Sequence, residues 1–254
     1  MPIIDTSINK FIDDSLIEAN RLRDEKHEPS GLLSASMLYQ PLRFQVLKTL
    51  GAPKKEFDTY TLGKFKRGND VEDWFVGHLR KMGVLARETN GRFMKATQVK
   101  LEYRGAIGYV DAIVDSRNMR YKDGIIPHEV KSVVNSKFKW IAKGGVDWHY
   151  KIQGCFYAMA MERPSYAIDI VSAEDLRPNI YIFHTRELKA DVDKAIDAYD
   201  QAMKNWNENR ILPAFEPNPK VAWTANIKYA MFDPFWVEGA DELVIKKLEE
   251  LKLI

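Results

Sequence analysis

Two short apolar segments joined by a polar stretch place the strictest limit on how this chain folds. They are GYVDAIVD at 108–115 and PHEVKSV at 127–133. Their β-branched and apolar residues are typical of strands, and the polar stretch 116–123 suits a connecting loop. We therefore predict two adjacent antiparallel strands. If the hairpin is centred on residue 120, residues whose numbers sum to 240 pair across it.

This register places an acidic residue of one strand opposite an acidic residue of the other. Unless a bulge shifts the pairing, Asp111 faces Glu129, with Cβ atoms about 5 Å apart. Two partly buried carboxylates repel each other and lose hydration, and either a raised pKa or a bound cation relieves that cost. Oxygen ligands at this spacing suit Mg²⁺ or Mn²⁺. Asp111 and Glu129 are thus candidate metal ligands.

Lys131 lies two residues beyond Glu129 and therefore on the same face of its strand. There its cation would hold a water or an anionic group and favour the ionised carboxylates. The Val130 carbonyl is a further candidate ligand. His128 points to the opposite face, so a structural role is expected for it. The alternative for the Glu-Val-Lys tripeptide is an ordinary ion pair on a solvated strand.

A longer helical pattern precedes these strands. Apolar residues recur at three- and four-residue spacing over 61–82, as one buried helical stripe requires, at Val71, Trp74, Phe75, His78, Leu79 and Met82. Glu72 flanks this stripe. Gly68 lies one turn earlier, and a mid-helix glycine indicates that another group approaches closely. A plain surface glutamate is the alternative for Glu72.

The remaining patterns predict one α/β domain over 1–254, with a mixed central β-sheet flanked by helices. Its core covers about 60–210, between a helical N-terminal extension and an aromatic, proline-rich C-terminal one. Strands are predicted at 84–88, 92–103, 106–115, 124–133, 166–172 and 179–184. Further helices are predicted at 14–26, 135–143, 147–162, 187–208 and 240–252, with another helical segment between Ser34 and Gly51.

Charge is distributed unevenly although the net charge is only +2. The interval 131–151 contains a single acid, Asp147, and interleaves lysines with aromatic residues: Lys131, Lys137, Lys139, Lys143, Lys151, Trp140, Trp148, His149 and Tyr150. Such a stretch suits a phosphate backbone and unstacked bases, while a solvated face is the alternative. No apolar run approaches the roughly 20 residues of a membrane span, and the N-terminal residues have no targeting pattern, so we expect a cytoplasmic protein.

Taken together and in this order, four motifs resemble the PD-(D/E)XK nuclease superfamily. They are RGNDVED, GYVD, HEVK and QGCFY, spanning 67–157. The nearest likeness is to the RecB-type branch, which includes nucleases of CRISPR adaptation and phage exonucleases. The resemblance implies a restriction-endonuclease-like core and metal-dependent DNA cleavage.

The same resemblance assigns roles to single residues. Asp111 and Glu129 would bind one or two Mg²⁺ or Mn²⁺ ions, and Lys131 would position or activate the attacking water. Glu72 would complete the metal shell directly or through water. Gln153 and Tyr157 would organise the site and contact DNA. Three lysines of the basic stretch would join them in substrate binding, namely Lys137, Lys139 and Lys151.

One feature departs from many members of that branch, which hold an iron–sulfur cluster with one Cys before a Pro near the N-terminus and three near the C-terminus. The corresponding stretches here are YQPLR and WTANIKYAMFDPFW, and neither contains cysteine. The chain has a single cysteine, Cys155. We therefore predict no iron–sulfur cluster. Apolar packing would tie the ends to the core instead, through Trp223, Tyr229, Phe232, Phe235 and Trp236.

The leading interpretation is a DNA exonuclease acting on single strands or duplex ends, in recombination, repair or phage replication. A structure- or sequence-selective endonuclease is the enzymatic alternative. There are two non-enzymatic alternatives: a catalytically silent DNA-binding module of the same fold, and a globular protein with chance motifs. The sequence leaves open a homo-oligomer or a recombination partner protein.

Overall fold

A five-stranded mixed sheet lies at the centre of the computed structural model, which describes residues 7–26, 31–86, 96–118, 124–225 and 231–254. The strands follow one another in spatial order, and β3 and β4 are parallel while the other neighbours are antiparallel. Their bounds are β1 Thr97–Tyr103, β2 Ala106–Asp115, β3 Ile125–Val133, β4 Ser165–Ser172 and β5 Pro178–His184.

Helices flank this sheet, which confirms the predicted α/β class. They are α1 Ser7–Lys26, α2 Leu42–Thr49, α3 Thr59–Lys81, α4 Asn135–Gly144, α5 Trp148–Ala160, α6 Lys189–Asn209, α7 Pro234–Glu238 and α8 Asp241–Glu250. Helix α3 begins where the Asp58 carboxylate accepts a hydrogen bond from the Thr61 amide, at 2.7 Å. Within the described ranges, no helix has the length and apolarity that a membrane crossing requires.

The predicted register between β2 and β3 is confirmed. Ala112 pairs with His128 and Asp115 pairs with Ile125, so each described pair sums to 240. Asp111 and Glu129 occupy the next position along the same two strands. Burial of the strand faces specifies this register, because a one-residue slip would turn every buried side chain to the other face.

Helix α3 covers one face of the sheet with its apolar stripe. The small cluster between them comprises Val71, Phe75, Val76, Leu79, Ala112, Val114, Val130 and Val171. Most of the predicted stripe is therefore confirmed. His78 and Met82 are the exceptions: both are exposed, and Met82 lies just beyond the helix.

One further expectation around α3 is wrong, and a second is tested only over part of its length. A Cβ built on Gly68 would meet nothing within 4 Å, so no group approaches that glycine closely. The strand predicted at 84–88 is reduced, in the residues that the structure describes, to an isolated bridge between Leu85 and Val114. Residues 87–95, which include the start of the strand predicted at 92–103, lie outside the described ranges.

Helix α5 packs on the opposite side of the sheet at very short range. A Cβ on Gly154 would lie 2.6 Å from Tyr166 Cδ2 and 2.7 Å from Ile168 Cδ1. Only a residue without a side chain lets the helix backbone approach β4 this closely. The neighbouring Cys155 is fully buried, and burial raises the pKa of its thiol to about 12.

The C-terminal segment is tied to α2 by apolar and polar contacts. Phe232 is buried against Phe44, with ring centroids 5.6 Å apart, and Trp236 is also buried, as predicted. Phe235 is 42% exposed and so does not share this role, while the side chains of Trp223 and Tyr229 lie outside the described residues.

A buried arginine that the sequence analysis did not single out reinforces this attachment. Arg43 donates hydrogen bonds to the carbonyls of Trp236, Pro213 and Gly239 and forms an ion pair with Asp241 at 2.8 Å. Its planar guanidinium has five donors, enough to satisfy several acceptors of the C-terminal segment at once.

Candidate active site

Asp111 lies at the centre of a polar cluster and uses both carboxylate oxygens. Its Oδ2 accepts a hydrogen bond from the Val130 amide at 2.8 Å. Its Oδ1 accepts one from Gln98 Nε2 at 3.1 Å, and the same nitrogen donates to Glu72 Oε1 at 2.7 Å. Strands β1, β2 and β3 and helix α3 thus meet at one point.

Glu129 is buried and forms an ion pair with Lys131 through Oε1. Its other oxygen, Oε2, is buried without a hydrogen-bond partner among the described residues. Burial and the nearby Asp111 raise the pKa of Glu129 to about 8, while Lys131 acts in the opposite direction. Burial alone would lower the pKa of Lys131, but the Glu129 and Asp111 carboxylates hold it above its usual value.

Glu72 approaches the same point from α3. Burial, followed by the charge of Asp111, raises the pKa of Glu72 to about 8. The structure therefore brings Glu72, predicted to complete the metal shell, to the three residues predicted as the centre, Asp111, Glu129 and Lys131. The raised pKa values of Glu72 and Glu129 mean that these side chains resist ionisation next to Asp111. A bound cation would relieve this repulsion between carboxylates.

The donor chemistry at this point fits a hard divalent cation, although the described residues include no group of three or more His, Cys, Asp or Glu side chains already arranged around a metal position. The unpartnered Glu129 Oε2 supplies an available oxygen beside Asp111. Mg²⁺ usually binds through one or two carboxylates and retains several waters, so a closed protein cage is not required. The Val130 carbonyl as a ligand stays a prediction.

The side-chain alternation of β2 changes at Asp111. Val110 and Ile113 both belong to the larger apolar cluster, although they are three residues apart, whereas Ala112 faces α3. Opposite Asp111, Gln98 has a left-handed backbone with φ +50°. The β1–β2 pairs on either side keep one register, so both strands change face without an inserted residue.

Gln153 and Tyr157 organise the start of β2. Gln153 Nε2 donates to Tyr157 Oη at 3.0 Å, and Tyr157 Oη donates to the Tyr109 carbonyl at 3.1 Å. Gly108 makes room for the phenol, since a Cβ there would lie 2.6 Å from Tyr157 Cε1. Both predicted residues thus support the backbone that leads to Asp111, while their contact with DNA stays a prediction.

The three lysines predicted for substrate binding differ in their surroundings. Lys137 pairs with Asp147 at 2.9 Å and lies 3.9 Å above the Trp140 ring. Lys151 lies 5.4 Å above the Phe183 ring. Lys139 is exposed. Of these three lysines, Lys139 is therefore the one most open to bind a phosphate group from solvent.

Two aromatic side chains near Lys131, those of Tyr150 and His149, were not predicted as part of the site. Lys131 Nζ lies 5.8 Å from the Tyr150 ring, which is tilted against His149 with centroids 4.0 Å apart. Burial lowers the pKa of His149 to about 4, so this imidazole is neutral at pH 7. The aromatic residues of the basic stretch were the available signal, but only tertiary packing shows which of them reach Lys131.

His128 has the structural role expected of it. Its Nδ1 lies 2.7 Å from Asp169 Oδ2, and both side chains are fully buried. The pair links neighbouring parallel strands on the face opposite Glu129. Gln98, by contrast, was missed, and the β1–β2 register that places it opposite Asp111 was the signal that would have found it.

No protein-family model and no curated protein sequence matches this chain. Among solved structures, an alkaline exonuclease (LHK-Exo) from Laribacter hongkongensis matches 78% of this chain and 97% of its own, with a TM-score of 0.49 and 12% identity. A phage-related exonuclease from Haemophilus somnus 129PT matches 72% of this chain and 99% of its own, with a TM-score of 0.37 and 17% identity. These two structural neighbours are thus an alkaline and a phage-related exonuclease, at similarities too low to assign this chain to a family.

Proposed function

We propose that this chain is a divalent-metal-dependent nuclease that hydrolyses phosphodiester bonds in DNA. The observation that carries the proposal is the buried Asp111–Glu129 carboxylate pair with Lys131 beside it. Burying two acids together costs free energy. Among the described residues, Lys131 is the cation that acts on Glu129, and the pKa of Glu129 stays raised in spite of it. A site for a cation and a phosphate explains why such a pair is placed here.

The metal ligands in this proposal are Asp111, Glu129 and the Val130 carbonyl, with Glu72 completing the shell directly or through water. Mg²⁺ and Mn²⁺ are the ions that suit carboxylate, carbonyl and water oxygens. When bound, the cation would polarise the scissile phosphate and stabilise the negative charge that develops during hydrolysis. No iron–sulfur cluster enters the proposal, since the chain has one cysteine.

Lys131 is the residue that meets the phosphate or the attacking water. Its side chain is 26% exposed, whereas its partner Glu129 is almost fully buried, so the ammonium lies at the boundary between carboxylates and solvent. Its ion pair with Glu129 and the nearby Asp111 hold the pKa of the ammonium above its usual value. A fixed cation at that boundary orients a phosphate oxygen and favours the charge of the transition state.

The substrate path in this proposal leads along Lys137, Lys139 and Lys151, with Gln153 and Tyr157 beneath it. An exonuclease acting on single strands or duplex ends is the preferred mode, with a role in recombination, repair or phage replication in the cytoplasm. A selective endonuclease and a silent DNA-binding module are the alternatives. Self-association and a recombination partner protein are not required by the site.

The test incubates end-labelled single- and double-stranded DNA, linear and circular, with Mg²⁺, with Mn²⁺ or with chelator. The variants are Asp111→Asn and, as a matched control on the same strand, Asp115→Asn, whose side chain pairs with Arg117 instead. Cleavage that requires metal, is lost in Asp111→Asn and persists in Asp115→Asn supports the proposal. Degradation of linear DNA alone supports the exonuclease, nicking of circles supports the endonuclease, and binding without cleavage under every condition overturns the enzymatic proposal.

A further inference from the structure

Gln98 holds two carboxylates from different elements with one nitrogen. Its Nε2 donates to Glu72 Oε1 at 2.7 Å and to Asp111 Oδ1 at 3.1 Å. We infer that Gln98 is a positioning residue, which holds Glu72 to Asp111 so that a divalent cation meets both. This inference rests on the proposed metal-dependent function and adds to it a residue that no part of the sequence analysis assigned.

A hydrogen bond between the Glu72 and Asp111 side chains holds them together only while Glu72 is protonated, and two ionised carboxylates, as a cation would bind them, have no electrostatic reason to meet. The charge of Asp111 disfavours the ionised form of Glu72, and the two side chains come from a strand and from a helix that packs across the sheet. Without a donor between them, mutual repulsion would turn the flexible Glu72 side chain toward solvent. The Gln98 carboxamide supplies two hydrogen bonds that oppose this movement.

A carboxamide is suited to this task because it donates without carrying charge. An arginine or lysine at this position would also bridge the acids, but its cation would neutralise the charge that attracts a metal. Gln98 leaves that charge intact. It therefore arranges the carboxylates before the cation arrives, as outer hydrogen-bond partners do in metal sites.

The backbone of Gln98 supports the same inference. Its φ of +50° is uncommon for a residue other than glycine, asparagine or aspartate. The strands change face at Gln98 and Asp111 and regain regular alternation on either side. A conformation of this kind persists where surrounding contacts hold it, and such positions cluster at functional sites. At Gln98 these contacts are the two hydrogen bonds with the acids and the ladder pairs on either side.

The experiment compares Gln98→Gly, Gln98→Ala and Gln98→Asn with the wild type and with Glu102→Ala, an exposed acidic position on the same strand. Mn²⁺ affinity is measured by calorimetry without DNA, and thermal stability is measured without metal. Gln98→Gly is the sharpest variant, because glycine adopts positive φ without strain while it removes the carboxamide. Asparagine keeps the carboxamide on a side chain that is shorter by one methylene.

We expect Gln98→Gly to keep or raise the melting temperature and to weaken Mn²⁺ binding by about 10- to 100-fold. Gln98→Asn should bind Mn²⁺ with intermediate affinity, and Glu102→Ala should bind it as the wild type does. Wild-type affinity in Gln98→Gly would overturn the inference, as would a loss of affinity matched by loss of the metal-free fold. Absence of Mn²⁺ binding by the wild type would instead overturn the proposed metal-dependent function, and the inference with it.

Discussion

The carboxylate of Asp111 accepts a hydrogen bond from the backbone amide of Val130, with Oδ2 and N 2.8 Å apart. A side chain of β2 thereby occupies a backbone donor of β3 just beyond the last described pair of their ladder, Ala112 with His128. Asp111 is consequently both an acid of the candidate site and a structural link between two strands. The hydrogen bond stabilises the folded protein, whereas the negative charge of Asp111 destabilises it by repelling the charges of Glu129 and Glu72.

Asp111→Asn should therefore stabilise the metal-free protein, whereas Asp111→Ala should not. Asparagine retains one acceptor, for the Val130 amide, and gives up the hydrogen bond from Gln98 Nε2. It also removes the charge that raises the pKa values of the buried Glu129 and of Glu72. Alanine removes the charge too, but leaves a buried amide unpaired at a cost of about 1–3 kcal/mol. The free energy of unfolding in chelator at pH 8 measures the difference. Equal stability of the two variants would show that the hydrogen bond contributes little.

Lys131→Met should lower kcat by about 10²- to 10³-fold while Mn²⁺ still binds. The substitution removes the ammonium that faces the proposed phosphate position but retains most of the side-chain volume. It also removes a positive charge that competes with the metal for Glu129. Lys246→Met, at an exposed position of α8 outside the basic stretch, is the control for loss of a lysine. Single-turnover cleavage and calorimetry separate the two effects, and an unaltered kcat would exclude Lys131 from catalysis.

Gly108→Ala should destabilise the fold by about 1–3 kcal/mol through overpacking. The added methyl group would lie 2.6 Å from Tyr157 Cε1 and 2.7 Å from the Ala35 Cβ, so the backbone or the phenol must move. Thermal unfolding measures the loss. Gly77→Ala is the control, because a Cβ at that helical glycine meets nothing within 4 Å. Gly108→Ala with the stability of the wild type would contradict the close packing of α5 on β2.

His149→Phe should reduce the loss of stability in acid. Burial lowers the pKa of His149 to about 4 in the folded protein, below the ordinary value of 6.5. The folded state thus favours the neutral ring, and this contribution is present above pH 6.5 and is lost as the pH falls toward 4. Between pH 7 and pH 4.5 the wild type should lose on the order of 2 kcal/mol more than the variant. Parallel curves for the two proteins would contradict the burial of a neutral imidazole.

Lys139→Ala should weaken DNA binding uniformly across sequences and lower the slope of log K against log salt concentration by about one. Its ammonium is exposed, whereas Lys137 is already paired with Asp147. Lys246→Ala, an exposed lysine on α8, provides the same change of charge away from the basic stretch. Fluorescence anisotropy at several salt concentrations, in chelator, measures both slopes. Equal slopes for these two variants would place the DNA path elsewhere.

The pairing of β2 with β3 was predictable from the sequence because it is local. A polar connection and two apolar segments fix which residues meet, and the sum of 240 holds for every described pair. The same alternation placed Glu129 and Lys131 together and turned His128 away. Information of this kind lies within about 30 residues of chain and needs no knowledge of the rest of the fold.

The role of Gln98 was not predictable from the same reasoning. The β1–β2 register places Gln98 opposite Asp111, but Gln98 also donates a hydrogen bond to Glu72, which lies on another element and 26 positions away. Strand alternation assumes a regular backbone, and both strands change face where these residues meet. The prediction of a close approach at Gly68 was wrong for a related reason. A mid-helix glycine is compatible with a contact but does not require one, and only the surrounding packing decides.

The complete burial of Cys155 makes the chain convenient for spectroscopic labelling. Because this is the only cysteine in the sequence and its thiol lies on the buried face of α5, maleimide reagents have no accessible native thiol in the folded protein. A cysteine introduced at an exposed position would carry a fluorophore or spin label alone. Distances to DNA or between copies of the chain then become measurable without first removing a native thiol.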